Sequence, residues 1–263
     1  MDSPRLRHHD VMPDDRTSAG ALYDVIGQTY SGQRRTDPKI AARIWDALGD
    51  AETVLNVGAG TGSYEPSGRA VTAVEPSAVM RAQRPKTAAP CIAARAEALP
   101  FADDSFDVAM AVLSDHHWTD PIAGLRELLR VGRRVIVFQW DNTRTGDFWL
   151  VRDYLPEFLA AASARPSLAE RAAAIGADMT PVPIPWDCQD GFFHCYWRRP
   201  HAYLRDAVRR GSSVWSQVGP KAEERAVAAL GNDLESRAWH ECNAPLLSLD
   251  EADLGARLLT AGA

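Results

Sequence analysis

The sequence predicts an α/β fold: a doubly wound, mostly parallel sheet with a helical cap inserted late in the chain. Three observations carry that expectation. First, Thr53 to Ser77 runs T-V-L-N-V-G-A-G-T-G-S-Y-E-P-S-G-R-A-V-T-A-V-E-P-S. Val54, Leu55 and Val57 read as a buried strand, Gly58, Gly60 and Gly62 as a turn, and Val71 to Val74 as a second strand ending at Glu75. Strand, glycine turn, strand and terminal acid make a cofactor cleft at the carboxyl edge of a parallel sheet. Second, apolar segments at 91–94, 106–113 and 134–140 alternate with helical patterns, as repeated βα units do. Third, the pattern turns mostly helical after Asp141, and the 190–245 stretch is rich in aromatic residues.

Taken in order, residues 1–20 hold two prolines, four aspartates and few apolar residues, so disorder is expected. Residues 21–50 read as a helical N-terminal lid. Asp37-Pro38 starts its second helix, with Ile40, Ile44, Trp45 and Leu48 on one face and Gly49 as the stop. Residues 51–263 form the α/β domain, with cap segments at about 145–176 and 190–245. Only eight residues separate Gly62 from Val71, Pro66 and Gly68 among them, so the first crossover helix is reduced to about one turn. Pro76-Ser77 opens a helix to about Arg84, and Asp120-Pro121 opens another that ends at Gly132. Beyond Asp141, helices are expected at 148–162, 167–175, 199–210 and 221–238. A proline-broken strand is expected at 179–185 and a last strand at 254–260.

The 263 residues carry 29 basic and 35 acidic side chains, a net charge of −6. That balance argues against nucleic acid as substrate, since phosphate binding wants a basic face. The four cysteines contain no C-x-x-C pair, so neither a zinc site nor a disulfide framework is expected. No metal site is expected either. The N-terminus lacks the apolar core of a signal peptide, and no apolar run approaches membrane-span length. A cytoplasmic monomer or homodimer is the expectation.

The glycine spacing narrows the cofactor. A dinucleotide fingerprint asks for G-x-G-x-x-G, but Ser63 stands where its third glycine would fall. G-x-G-x-G with Glu75 17 residues after Gly58 resembles the first two motifs of class I S-adenosylmethionine (SAM)-dependent methyltransferases. The segment A-R-A-E-A-L-P-F-A-D-D-S-F-D-V-A-M-A-V-L-S-D-H-H-W-T-D-P, Ala94 to Pro121, resembles the third and fourth motifs of that family's type 11 branch. The resemblance runs from about Tyr23 to Asp141. It implies a Rossmann-like, seven-stranded sheet with an antiparallel last strand, and S-adenosylhomocysteine as product. It departs from the family at Asn56, where the first motif usually has an acid, and at Arg95, where an acid often accepts from adenine.

The resemblance implies cofactor contacts at Tyr30, Arg34, Asn56, Gly58, Ala59, Gly60, Gly62, Glu75, Pro76, Met80, Ala96, Glu97, Leu113 and Ser114. Two of them have a direct chemical rationale. Glu75 can accept both ribose hydroxyl hydrogens, and the Arg34 fork suits a carboxylate. His116 and His117, just past the fourth strand, are candidate general bases, and the resemblance, which puts the second histidine of such a pair nearer the cofactor, makes His117 the preferred one. The aromatic cap suggests a pocket for an apolar or aromatic small molecule, with Trp118, Trp140, Trp186 and Trp197 as candidate contacts. Two alternatives stay open: an RNA or protein methyltransferase, and a non-catalytic SAM-binding protein.

Overall fold

The computed structural model describes residues 34–163 and 165–262. The disorder expected for 1–20, the first part of the N-terminal lid (21–33) and Tyr30 lie outside the described residues.

Helix α1 (Pro38–Ala47) starts where Asp37 accepts hydrogen bonds from the amides of Lys39 and Ile40, and it buries Ile40, Ala41 and Ile44. In chain order β1 (Thr53–Val57), β2 (Ala70–Val74), helix α2 (Ala78–Ala82), β3 (Cys91–Ile92) and β4 (Phe106–Val112) follow. After them come α3 (Pro121–Val131), β5 (Gly132–Trp140), α4 (Trp149–Tyr154), α5 (Glu157–Ser163), α6 (Leu168–Ala174) and β6 (Asp178–Pro181). The chain then passes through β7 (Ile184–Pro185), a run of short helices, β8 (Glu251–Ala252) and β9 (Ala256–Gly262).

The main sheet has seven strands in the order β3-β2-β1-β4-β5-β9-β6. Strands β1 to β5 pair in parallel, while β9 runs antiparallel to both β5 and β6. The order reverses between β1 and β4, which opens a crevice beyond their carboxyl ends. One apolar cluster joins α1 to the aromatic residues past Asp141, and a second packs α3 and α6 against the sheet.

Several boundaries differ from the sequence reading. The β1–β2 connection holds turns and no helical turn. Its support comes from Glu65, which accepts from Arg84 Nη2 at 2.6 Å and from the amide of Ala89 at 3.0 Å. The strand expected at 91–94 is two residues long. The strand expected at 179–185 splits into β6 and β7 around Val182-Pro183, because proline donates no ladder hydrogen bond. The helix expected at 148–162 breaks at Leu155-Pro156 for the same chemical reason.

Candidate active site

Two cavities adjoin at the crevice, and Arg34 and Leu113 line both. The first spans about 800 Å³, open mouth included, and its walls include Asn56, Gly58 to Thr61, Glu75, Pro76, Met80, Ser114, His117 and Trp118. The glycine turn is held there by side chains. Glu75 Oε2 accepts from the Gly60 amide and Oε1 from the Ser77 amide, each at 2.8 Å. Burial pushes the Glu75 carboxyl above its ordinary range, against the pull of those amides and of Arg81 and Arg84. Gly58 takes φ +69°, and a Cβ there would sit 2.5 Å from the Ser114 Cβ. No side chain fits at that position, so the Gly58 backbone itself forms the wall. Ser114 anchors the opposite wall by donating to the Val57 carbonyl at 2.9 Å.

Leu113, between the cavities, has φ 52°, a left-handed conformation unusual for leucine. Its amide still donates to the Phe138 carbonyl at 2.8 Å, so the pairing with β5 holds the bend in place.

The second cavity spans about 870 Å³. Trp140, Phe158, Phe192 and Phe193 give it aromatic walls, and His116, Gln139, Arg165, Arg171 and His194 bring polar groups. His194 stacks on Trp140, with ring centroids 3.9 Å apart. Burial drives both His116 and His194 down to about 3 and His117 well below the ordinary histidine value, with nearby guanidinium charge adding to the effect at His116 and His117. All three imidazoles are neutral at physiological pH. Their depressed pKa values make them weak bases, so the sequence-based expectation of a base near neutrality at His116 or His117 does not match this environment.

Two buried networks brace the site. Arg34 forks onto Asp190, through Nε to Oδ1 and through Nη2 to Oδ2 at 3.2 Å, and the Tyr64 hydroxyl donates to Asp190 Oδ2 at 2.6 Å. Arg171 Nη1 donates to Asp115 Oδ2 at 2.5 Å, and Gln139 Nε2 donates to Asp115 Oδ1. Asp115 and Asp190 are both fully buried.

The sequence-predicted residues divide. Arg34, Asn56, Gly58, Ala59, Gly60, Glu75, Pro76, Met80, Leu113, Ser114, His117 and Trp118 meet at the first cavity, so Trp118 lies on the cofactor side and not with the cap. Gly62 sits one step outside, with φ +100° and Glu65 and Arg84 as neighbours. Asn56 Nδ2 lies 3.3 Å from Glu65 Oε1, so a carboxylate from the turn stands beside the position where the family has an acid. Trp140 and His116 line the second cavity. Four of the expected contacts, Ala96, Glu97, Trp186 and Trp197, line neither cavity. Ala96 is buried, and Glu97 accepts from the amides of Thr119 and Asp120 through Oε1. Trp186 is 40% exposed beneath the Arg198 guanidinium. Trp197 is fully buried, donating to the Pro185 carbonyl and accepting from Trp149. The sequence reading missed Asp115, Gln139, Arg171, Asp190 and His194. Gln139 carried a signal, as the one amide inside the otherwise apolar run V-I-V-F-Q-W. Among the described residues no cluster of histidine, cysteine, aspartate or glutamate could hold a metal ion, and no helix is long and apolar enough to cross a membrane.

The first cavity fits SAM on its own geometry. Each Glu75 oxygen spends one lone pair on a backbone amide and keeps another for a ribose hydroxyl. The turn beside it exposes bare backbone that a ligand can approach closely.

Comparison with known proteins agrees. A family profile described as a methyltransferase domain matches residues 55–135. The chain is 34% identical over 175 residues to the demethylmenaquinone methyltransferase of Renibacterium salmoninarum, covering 60% of this chain and 73% of that protein. A crystal structure from Anabaena variabilis, described as a methyltransferase from an antibiotic biosynthesis pathway, superposes with a TM-score of 0.81. The two chains share 28% identity, and the match covers 88% of this chain and 99% of that one. The YcgJ protein of Bacillus subtilis, at 19% identity and a TM-score of 0.50, shares the fold over 86% of this chain and 98% of its own. With its seven-stranded sheet, glycine turn and strand-end Glu75, the chain belongs to the class I SAM-dependent methyltransferases.

Proposed function

We propose that this methyltransferase moves a methyl group to an O, N or C atom of a small apolar or aromatic molecule held in the second cavity. One observation carries the reading: a backbone-lined cavity with an acid at its edge adjoins an aromatic-lined cavity, and they share Leu113 and Arg34. SAM supplies an electrophilic methyl on a sulfonium when bound. Glu75 would hold its ribose, the Gly58–Gly60 backbone its methionine end, and Pro76 and Met80 would flank its adenine. Tyr30 and Arg34 would cover it from the N-terminal side. The Arg34 pairing with Asp190 gives that arginine a positioning task first.

The 182–255 stretch between β6 and β9 would act as the acceptor-side cap, together with α4 and α5. The relative named for methylating demethylmenaquinone, a quinone, supports a small ring-bearing acceptor. Catalysis would rest on proximity and orientation in a site that excludes water, with His117 as a neutral contact and not the base. A reducing cytoplasm is the compartment we propose, in keeping with four unpaired cysteines.

The test is transfer of labelled methyl from SAM to a panel of phenols, hydroxyquinones and aromatic amines, run beside bulk RNA and a protein mixture. Turnover confined to the small aromatics is expected. Label in RNA or protein alone would overturn the reading, and so would SAM binding without turnover on any acceptor.

A further inference from the structure

We propose that the second cavity binds its acceptor as an oxyanion, the ionised form of an aromatic or enolic hydroxyl, with His116 donating a hydrogen bond from Nε2 and Arg165 supplying positive charge. The inference rests on the small-molecule reading above and narrows its acceptor class.

The His116 tautomer follows from Gln139. The Trp140 amide donates to Gln139 Oε1 at 2.8 Å, and Gln139 Nε2 donates to the buried Asp115 carboxylate. Both contacts fix which end of the amide is nitrogen. That nitrogen lies 2.8 Å from His116 Nδ1. An amide nitrogen has two protons and no lone pair to offer, so Nδ1 accepts and the single proton of the neutral ring sits on Nε2. Arg171 on the other Asp115 oxygen holds the relay in place. His116 lines the second cavity, and its Nε2 makes no hydrogen bond among the described residues. The ring therefore offers a donor to a ligand, and its other nitrogen is occupied.

The charges point the same way. Arg34 pairs with Asp190 and Arg171 with Asp115. Arg165 lines the cavity and has no salt bridge among the described residues. The charges of Arg165, Arg171 and Arg34 all reach His116, while His117 and His194 are neutral. Among the described residues two of these arginines are matched by carboxylates and one is in excess, so the field favours the anionic form of a weakly acidic ligand. The acceptor's proton goes to bulk water before transfer, which removes the need for a histidine base.

The experiment uses 4-nitrophenol, whose phenolate absorbs where the neutral phenol does not, titrated against the full chain saturated with S-adenosylhomocysteine. The bound probe should ionise at a pH lower by about one unit or more, a tenfold change in the ratio of its two forms. His116→Phe should erase most of that shift, and His116→Gln, which restores an N–H near the place of Nε2, should recover it. S-adenosylhomocysteine affinity should stay within about twofold in both. If His116→Phe fails to fold, the exposed Arg165→Ala decides, and it should cut the shift by at least half. A probe bound with an unchanged or raised pKa overturns the oxyanion proposal and leaves the aromatic-acceptor reading standing. A full shift surviving in His116→Phe overturns the role of His116. No saturable probe binding to the wild-type chain overturns both readings.

Discussion

The two cavities are built by different means. Apart from Arg34, the first is walled by three short runs, within 56–64, 75–80 and 112–118, each at the carboxyl end of a strand. Its surface at Gly58 and Gly60 is largely main chain. The second draws side chains from Arg34, from β5 and the turn after β4, from α5 and α6, and from later segments as far along as Gln217. A main-chain wall is set by the sheet and tolerates sequence change around it. A wall of side chains from separate elements is reshaped by single substitutions. That division lets one scaffold keep its cofactor while its acceptor changes.

The largest expected effect is the response to acid of the histidines that line the two cavities. His116 and His194, held down to about 3 by burial, and His117, also depressed, stay neutral in the fold. The unfolded chain protonates them below about 6.5. A histidine with a depressed folded pKa binds fewer protons folded than unfolded, so stability falls as pH drops below about 6.5. The loss is roughly 1.4 kcal/mol per pH unit per histidine, or about 4 for the three together. Urea unfolding at pH 7.5, 6.0 and 5.0 measures it. His194→Phe should remove about a third of the slope, and an unaltered slope would mean that His194 is solvated.

Next in size is Arg171→Met, which strands Asp115 without its cation. Breaking a buried pair typically costs about 3–5 kcal/mol. Denaturant titration should show that loss, with SAM affinity of the folded fraction kept. A change under about 1 kcal/mol would place water in the network.

His117 sharpens the contrast at the shared wall. As a neutral contact, its replacement by alanine should lower kcat by less than about 100-fold, the low end for a lost general base. The pH–rate profile should show no histidine limb between pH 5 and 8. A deeper drop, with such a limb present in wild type and missing in the variant, would restore the base assignment.

The smallest effect is expected at Trp186, which lines neither cavity and half-faces solvent against Arg198. Trp186→Ala should leave both ligand affinities unchanged and shift stability by no more than about 0.5 kcal/mol. A large loss of turnover would put this ring at the acceptor.

The sequence made the first cavity readable and left most of the second hidden. Val54 to Val57, the alternating glycines and Glu75 lie within 25 residues, so local spacing reports their geometry. The same holds for the Asp120-Pro121 helix start and for Ser114 beyond β4. Trp186 and Trp197 share the composition of Trp140 and Phe192, but the turns after β7 send one to the surface and bury the other. Composition marks an aromatic cap without telling lining rings from packing rings. Asp190 meets Arg34 across 156 residues, and Arg171 meets Asp115 across 56; only the closed fold brings such pairs together. Glu97 Oε1 takes two backbone amides of the turn before α3, a contact that local spacing does not report.

The central claim is that the first cavity holds the cofactor through Glu75, and calorimetry of SAM binding to wild type and Glu75→Ala tests it most directly. Loss of hydrogen bonds to a charged group should weaken binding by roughly 1–3 kcal/mol, about 5- to 150-fold, with the variant folded. Equal affinity in a folded Glu75→Ala protein would contradict the account.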